Sequence, residues 1–187
     1  VSHMRRDDTP AEMKSTPFTF RLLDSPVVNA FALPGGYVYI TRGLLAHLEN
    51  EAQLAVVLGH EIGHVVGRHA SIRAANQNFG QLGVIGVAIG AQGAFGGNAG
   101  EQFLGLGSNV AGLMLLRYGR DDERESDRLG VEYGALQGYD SREGAEFFRS
   151  LKRISDKAGQ SIPSFLSTHP DPGEREATII RMSDDLK

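Results

Sequence analysis

Cysteine is absent from all 187 residues. Disulfide bonds are therefore excluded, and so is any thiolate metal site. Any metal ion would have to be held by His, Asp or Glu. The absence fixes no compartment, although it is compatible with an oxidising one. Long apolar runs are also missing. The longest, Leu82 to Ala91, is about ten residues and rich in glycine, too short to cross a bilayer. No basic block or stripe exists, and the formal net charge is −4, so nucleic acid is not an expected partner. No internal repeat is found.

What remains is an ordinary globular composition, 41% apolar and 22% charged, enough for one domain with a real core. Val1-Ser2-His3-Met4 reads as a cloning remnant. Residues 1–14 are taken as that remnant plus a loose lead-in, and 15–187 as a single domain. The expectation is a trimmed chain from which a native export signal or anchor has been removed.

Phe18 to Leu23 predicts a strand that ends at the turn Asp24-Ser25-Pro26. Val27 to Leu33 and Tyr37 to Thr41 predict a hairpin around Pro34-Gly35-Gly36. Asn50, with Gln53 three residues on, predicts a capping box opening a helix that runs without proline to about Ala75. Gly59, Gly63 and Gly67 recur at every fourth position of it. Each costs about 1 kcal/mol relative to alanine, so a closely packed backbone is expected there.

Between Asn76 and Asn109 only Glu101 is charged. A flap, a membrane-touching hairpin and paired small-residue helices all fit. Apolar helical pieces joined by a Gly93–Gly100 loop are the favoured expectation, followed by an apolar helix over 110–116. Further helices are expected from Asp121 or Asp122 to Gln137, from Ser141 to Ala158 and from Gly173 to Leu186, with a loop over Ser164 to Pro172.

The chemistry centres on His60-Glu61-Ile62-Gly63-His64. Two histidines four apart on a helix lie on one face and can share a metal ion, and Glu61 can take a proton from water there. This is the zinc signature of metallopeptidases. Two ligands leave such a site incomplete, and a third protein ligand and an open position are needed. The candidates are His47, His69, His169 and the acids. Glu123 and Asp127 share a helix face that Gly130 and Gly134 continue without bulk, so Glu123 could reach the metal. Asp127 could accept the free ring N–H of a ligand histidine. Glu125 points about 200° away from Glu123.

The blocks Asn29–Gly36, Thr41–Leu45, His60–Val65, Arg68-His69, Glu123–Asp127 and Ser167–Pro170 occur together and in order. The chain thereby resembles the gluzincin metallopeptidases of the CAAX prenyl endopeptidase family (peptidase family forty-eight), and within it the soluble envelope-type members such as BepA and LoiP. The likeness covers about residues 18–182. It implies a mostly helical α+β zincin-like domain with a small N-terminal sheet, one zinc ion per chain and endopeptidase activity. It implies His60, His64 and Glu123 as ligands, Glu61 as base and Asp127 as the second acid of the motif, choosing Glu123 over Glu125. Ser126 stands where the family usually has alanine.

The oxyanion would need a donor, with His169 the first candidate and Arg175 the second. Within the family the His-Pro loop can approach the zinc, so His169 could instead fill the open position and hold the enzyme latent. His47 and His69 are expected to be structural, with His69 meeting carbonyls at the end of the catalytic helix. Asn29-Ala30-Phe31-Ala32 resembles the strand beside the zinc, where an extended peptide could add by main-chain hydrogen bonds. Unfolded or misfolded envelope polypeptides are the expected substrates, with membrane or outer-membrane protein association and a periplasmic or membrane-associated location. The rival expectations are a latent zinc-bound chaperone or adaptor and a membrane-surface module acting through residues 82–116.

Overall fold

The computed structural model describes residues 16–76, 117–158, 164–170 and 172–186. Residues 1–4, expected to be a cloning remnant, and the expected Gly93–Gly100 loop and 110–116 helix lie outside them.

Three strands form one sheet, β1 (Thr19–Leu23), β2 (Ala30–Leu33) and β3 (Tyr37–Thr41), in the order β1-β3-β2. The expected hairpin is present. β2 runs antiparallel to β3 with Ala30 opposite Ile40, while β1 lies parallel to β3 with Thr19 opposite Tyr37. Gly35 and Gly36 have φ of 93° and 89°, which only glycine adopts without strain. Thr41 then caps the short α1 (Arg42–Leu45), its hydroxyl accepting the Leu44 N–H.

α2 (Glu51–Val66) carries the HExxH residues. Asn50 caps it, accepting the Gln53 N–H at 2.9 Å. The Gln53 amide reaches back one residue further than expected, to the Glu49 N–H at 3.0 Å. The predicted single helix to Ala75 is broken. Gly67 and Arg68 form a turn with Arg68 at φ 57°, and residues 69–76 (α3) are helical again. A non-glycine residue in that region costs on the order of 1–3 kcal/mol, so something must hold it. One anchor is the ion pair Arg73–Asp122, 2.6 Å from Nε to Oδ2, which ties α3 to the start of the next helix.

α4 (Arg120–Leu136) begins one residue before the predicted start. Asp122 is not its cap but sits at the third position, accepting the Gly119 N–H at 3.0 Å. α5 (Glu143–Ala158), α6 (Ser164–Thr168) and α7 (Pro172–Asp185) complete the described fold. The predicted loop after Ser164 is thus partly helical, because the Phe165 N–H pairs with the Val28 carbonyl and Phe165 is buried with Phe147 and Phe148.

The glycine row does what its cost implied, with one exception. α2 and α4 press together backbone to backbone. A Cβ on Gly59 would sit 3.0 Å from the Gly130 Cα, one on Gly63 2.9 Å from the Ser126 Cα, and one on Gly130 2.9 Å from both the His60 nitrogen and the Val56 carbonyl oxygen. Gly67 faces the His69 ring instead. Ile62, Val66, Leu129 and Tyr133 fill the seam beside the contact, each buried aliphatic contributing about 1.5–3 kcal/mol. Gly130→Ala is accordingly expected to destabilise the metal-free protein by about 1–3 kcal/mol despite alanine's helix propensity. Gly173→Ala, with nothing nearer than 3.8 Å, should be neutral or stabilising. Chemical denaturation with chelator present checks both.

Candidate metal centre and active site

The close α2–α4 approach brings the two motifs together. His60, Glu61 and His64 project from α2, Glu123 and Asp127 from α4, and His169 from the turn after α6, all of them buried. One ligand atom each from His60, His64, Glu123 and His169 lies within 4.8 Å of all the others. His60 Nε2 is 2.9 Å from His64 Nε2 and 3.2 Å from His169 Nδ1. Glu123 Oε1 is 3.0 Å from His169 Nδ1 and 3.4 Å from His64 Nε2, and Glu123 Oε2 is 3.6 Å from His60 Nε2. Donors about 2.0–2.1 Å from a tetrahedral ion would stand roughly 3.3–3.4 Å apart, so this cage has the right size for zinc.

Electrostatics points the same way. Glu61, Glu123 and Asp127 are buried carboxylates, and Arg175 is the buried guanidinium among them. Buried charge left uncompensated is costly, so the surplus negative charge fits a divalent cation. Both Glu61 oxygens are buried without a hydrogen-bond partner. Burial raises the Glu61 carboxyl above its usual range, against the opposing pull of His169 and His60. Burial also lowers His64 well below the ordinary imidazole range, with His60 adding to it. For Glu123 burial pushes up, but His169 and Arg175 outweigh it and hold the carboxyl well below normal. For His169 burial pushes down, and Glu123 and Glu61 outweigh that to raise it.

Asp127 Oδ1 is 2.9 Å from His60 Nδ1, on the ring side away from the cage. Arg175 is turned onto Asp127 and Glu123. It is 5% exposed, donates to Asp127 from Nε at 2.8 Å and from Nη2 at 2.5 Å, and lies 2.8 Å from Glu123 Oε2. Its place is behind Asp127 and Glu123, stacked over Phe148 at 4.0 Å. Glu125 faces away from the cage, half exposed. His47 lies outside the cluster. Among the described residues β2 is an edge strand of the sheet, with Ala30 and Ala32 buried and Phe31 stacked on Tyr39, while Asn29 joins the Thr41 hydroxyl through its N–H. Ala32 and Leu33 line a small gap together with His64 and Tyr118.

Two residues have more contact with the cage than their sequence context indicated. Tyr118 stacks on the His64 ring, centroids 3.8 Å apart, and its N–H donates to the Thr168 carbonyl at 3.1 Å. No spacing marked it, since it lies between a glycine-rich stretch and a helix start. His69 was expected to meet helix-end carbonyls. Its Nδ1 instead lies 2.9 Å from His64 Nδ1, because the turn at Gly67-Arg68 swings the ring back along the helix.

The sequence model of peptidase family M48 matches residues 2–182. The chain belongs to peptidase family M48. That family is one of zinc-dependent metallopeptidases, in keeping with the His and Glu cage. Relatives include the beta-barrel assembly-enhancing protease of Escherichia coli (strain K12), 33% identical over 188 residues, covering 95% of this chain and 37% of that protein. The putative beta-barrel assembly-enhancing protease of Vibrio cholerae is 32% identical over 174 residues, 86% of this chain and 33% of its own length. The mitochondrial metalloendopeptidase OMA1 of Arabidopsis thaliana is 32% identical over 163 residues, 86% of this chain and 30% of its own. The chain spans about a third of the length of these M48 relatives.

Proposed function

We propose that residues 15–187 form the zincin-like catalytic domain of a zinc metalloendopeptidase that cleaves unfolded or misfolded polypeptides in the cell envelope. The observation that carries it is the buried cage of His60, His64 and Glu123 beside a carboxylate, Glu61, whose oxygens make no hydrogen bond and of which Oε1 lies 3.5 Å from His169 Nε2. His60, His64 and Glu123 would hold the metal, and Asp127 would fix the His60 ring by accepting its Nδ1–H. Zinc, when bound, supplies Lewis acidity to a water and to the scissile carbonyl. Glu61 takes the proton of that water and returns it to the leaving amine. Its burial favours this, since a carboxyl raised by desolvation is a stronger base than an ordinary carboxylate. Arg175 balances the charge of Glu123 and Asp127. The edge strand β2 is the binding ledge for an extended peptide. A link to the assembly of beta-barrel proteins is supported by the names of the bacterial relatives. Among the described residues no helix is long and apolar enough to cross a membrane. The membrane-surface alternative rests on residues 82–116, outside the described part.

A second reading is favoured by one observation. His169 Nδ1, 3.2 Å from His60 Nε2 and 3.0 Å from Glu123 Oε1, takes the corner of the cage that a water needs. Its ring stacks on Phe165, and its N–H donates to the Phe165 carbonyl at 2.8 Å. This arrangement is a latent state, and His169 must swing out before Glu61 meets water. His169→Ala is expected to retain zinc and to cleave unfolded casein several-fold faster than the parent. A variant slower than the parent would make His169 an oxyanion donor instead. Equal inactivity of parent, His169→Ala and Glu61→Gln with zinc bound would leave the chaperone or adaptor role and end the peptidase proposal.

A further inference from the structure

His60 and His64 are supported differently. Behind His60 stands a carboxylate, Asp127. Behind His64 stands another imidazole, His69, with Nδ1 2.9 Å from His64 Nδ1. His69 is 4% exposed, and its far nitrogen, Nε2, lies 3.4 Å from Glu125 Oε2 at the half-exposed rim. The Ser126 hydroxyl is 3.4 Å from the same His69 Nδ1. Gly67 leaves the room the ring occupies, since a side chain there would collide with it. Arg68 is held at φ 57°, and the Arg73–Asp122 pair ties the following helix down.

Coordination gives this chain a direction. His64 Nε2 faces the cage, 2.9 Å from His60 Nε2 and 3.4 Å from Glu123 Oε1. A neutral imidazole bound through Nε2 carries its proton on Nδ1. Two nitrogens 2.9 Å apart share one proton, so His69 Nδ1 must be the acceptor. The Ser126 hydroxyl can donate to that same lone pair. His69 then carries its own proton on Nε2 and directs it at Glu125. A hydrogen-bonded partner on the outer nitrogen fixes a ligand's tautomer and ring plane. The strained turn at Gly67-Arg68 has a reason on this account, since a continuous helix would carry position 69 away from the ring of residue 64.

We propose that His69 is a positioning residue that accepts the His64 Nδ1–H and so sets the His64 ring for metal binding, with Glu125 closing the chain at the surface. The proposal rests on the zinc reading above. Its test measures zinc affinity by competition with a chelator of known affinity, in the parent, His69→Leu and His69→Asn. Leucine fills space without accepting, and asparagine can present its carbonyl oxygen near the Nδ1 position. His69→Leu is expected to bind zinc about 10–100-fold more weakly, and His69→Asn to stay within about threefold of the parent. Glu125→Ala, whose place water can take, should lose less than about threefold. Unchanged affinity in His69→Leu, or an equal loss in both variants, overturns the proposal. A parent that takes up no zinc overturns the metallopeptidase reading instead. If His69→Leu does not fold, the ring-nitrogen chemical shifts of His69 in the zinc-loaded parent decide. The Nε2–H tautomer supports the proposal, and the Nδ1–H tautomer overturns it.

Discussion

Glu61→Gln is expected to lower casein hydrolysis by about 10²–10⁴-fold while the protein keeps its zinc. The two side chains are nearly isosteric, so the cage is undisturbed. What disappears is the ability to take a proton. Glu61 is fully buried and neither oxygen has a hydrogen-bond partner, an expensive arrangement for a carboxylate that contributes nothing to packing. A neutral amide removes the cost of burying charge. The metal-free variant should therefore melt no lower than the metal-free parent, which separates lost chemistry from lost folding. Activity and thermal melts on the same preparations check both halves. Retained hydrolysis would remove Glu61 from the mechanism.

Glu123→Ala is expected to purify without stoichiometric zinc, whereas Glu125→Ala keeps it. The loss should exceed the 10–100-fold typical of removing a residue behind a ligand. His169 could supply a third nitrogen to the mutant cage, but it is not an equal replacement. Glu123 Oε2 lies 2.8 Å from Arg175, and without that carboxylate the guanidinium would face a bound cation with less compensation. Glu125 is one turn-face away, half exposed, and reaches His69 rather than the cage. Elemental analysis of the two variants reads the result. Zinc lost from Glu125→Ala and kept by Glu123→Ala would overturn the register of α4.

Much of this site could be read from local rules. The i,i+4 spacing of His60 and His64 survives any packing, and so does that of Glu123 and Asp127, because both follow from helix geometry. The glycine row in α2 announced a close neighbour, and the small stripe on α4 supplied it through Ser126 and Gly130. Gly35 and Gly36 marked the hairpin turn.

Other features depend on tertiary contacts that leave no local trace. Arg68 has no residue-level mark of a positive φ. Gly67 fitted the helical row so well that the break after Val66 was hidden. The position of His69 against His64 follows from that break. Arg175 is one charged residue on an amphipathic helix, and only the folded chain brings it under Asp127 and Glu123, 48 and 52 positions earlier in the chain. Tyr118 reaches His64 only because its backbone is bonded to the turn that carries His169. Phe165 made a helical turn out of a predicted loop by entering the core with Phe147 and Phe148.

The most direct test of the account is a crystal structure of the zinc-loaded protein with anomalous scattering recorded at the zinc edge. One zinc site should appear per chain, about 2.0–2.2 Å from His60 Nε2, His64 Nε2 and a Glu123 oxygen. Zinc bound elsewhere, or a cage that stays empty in saturating zinc, would contradict it.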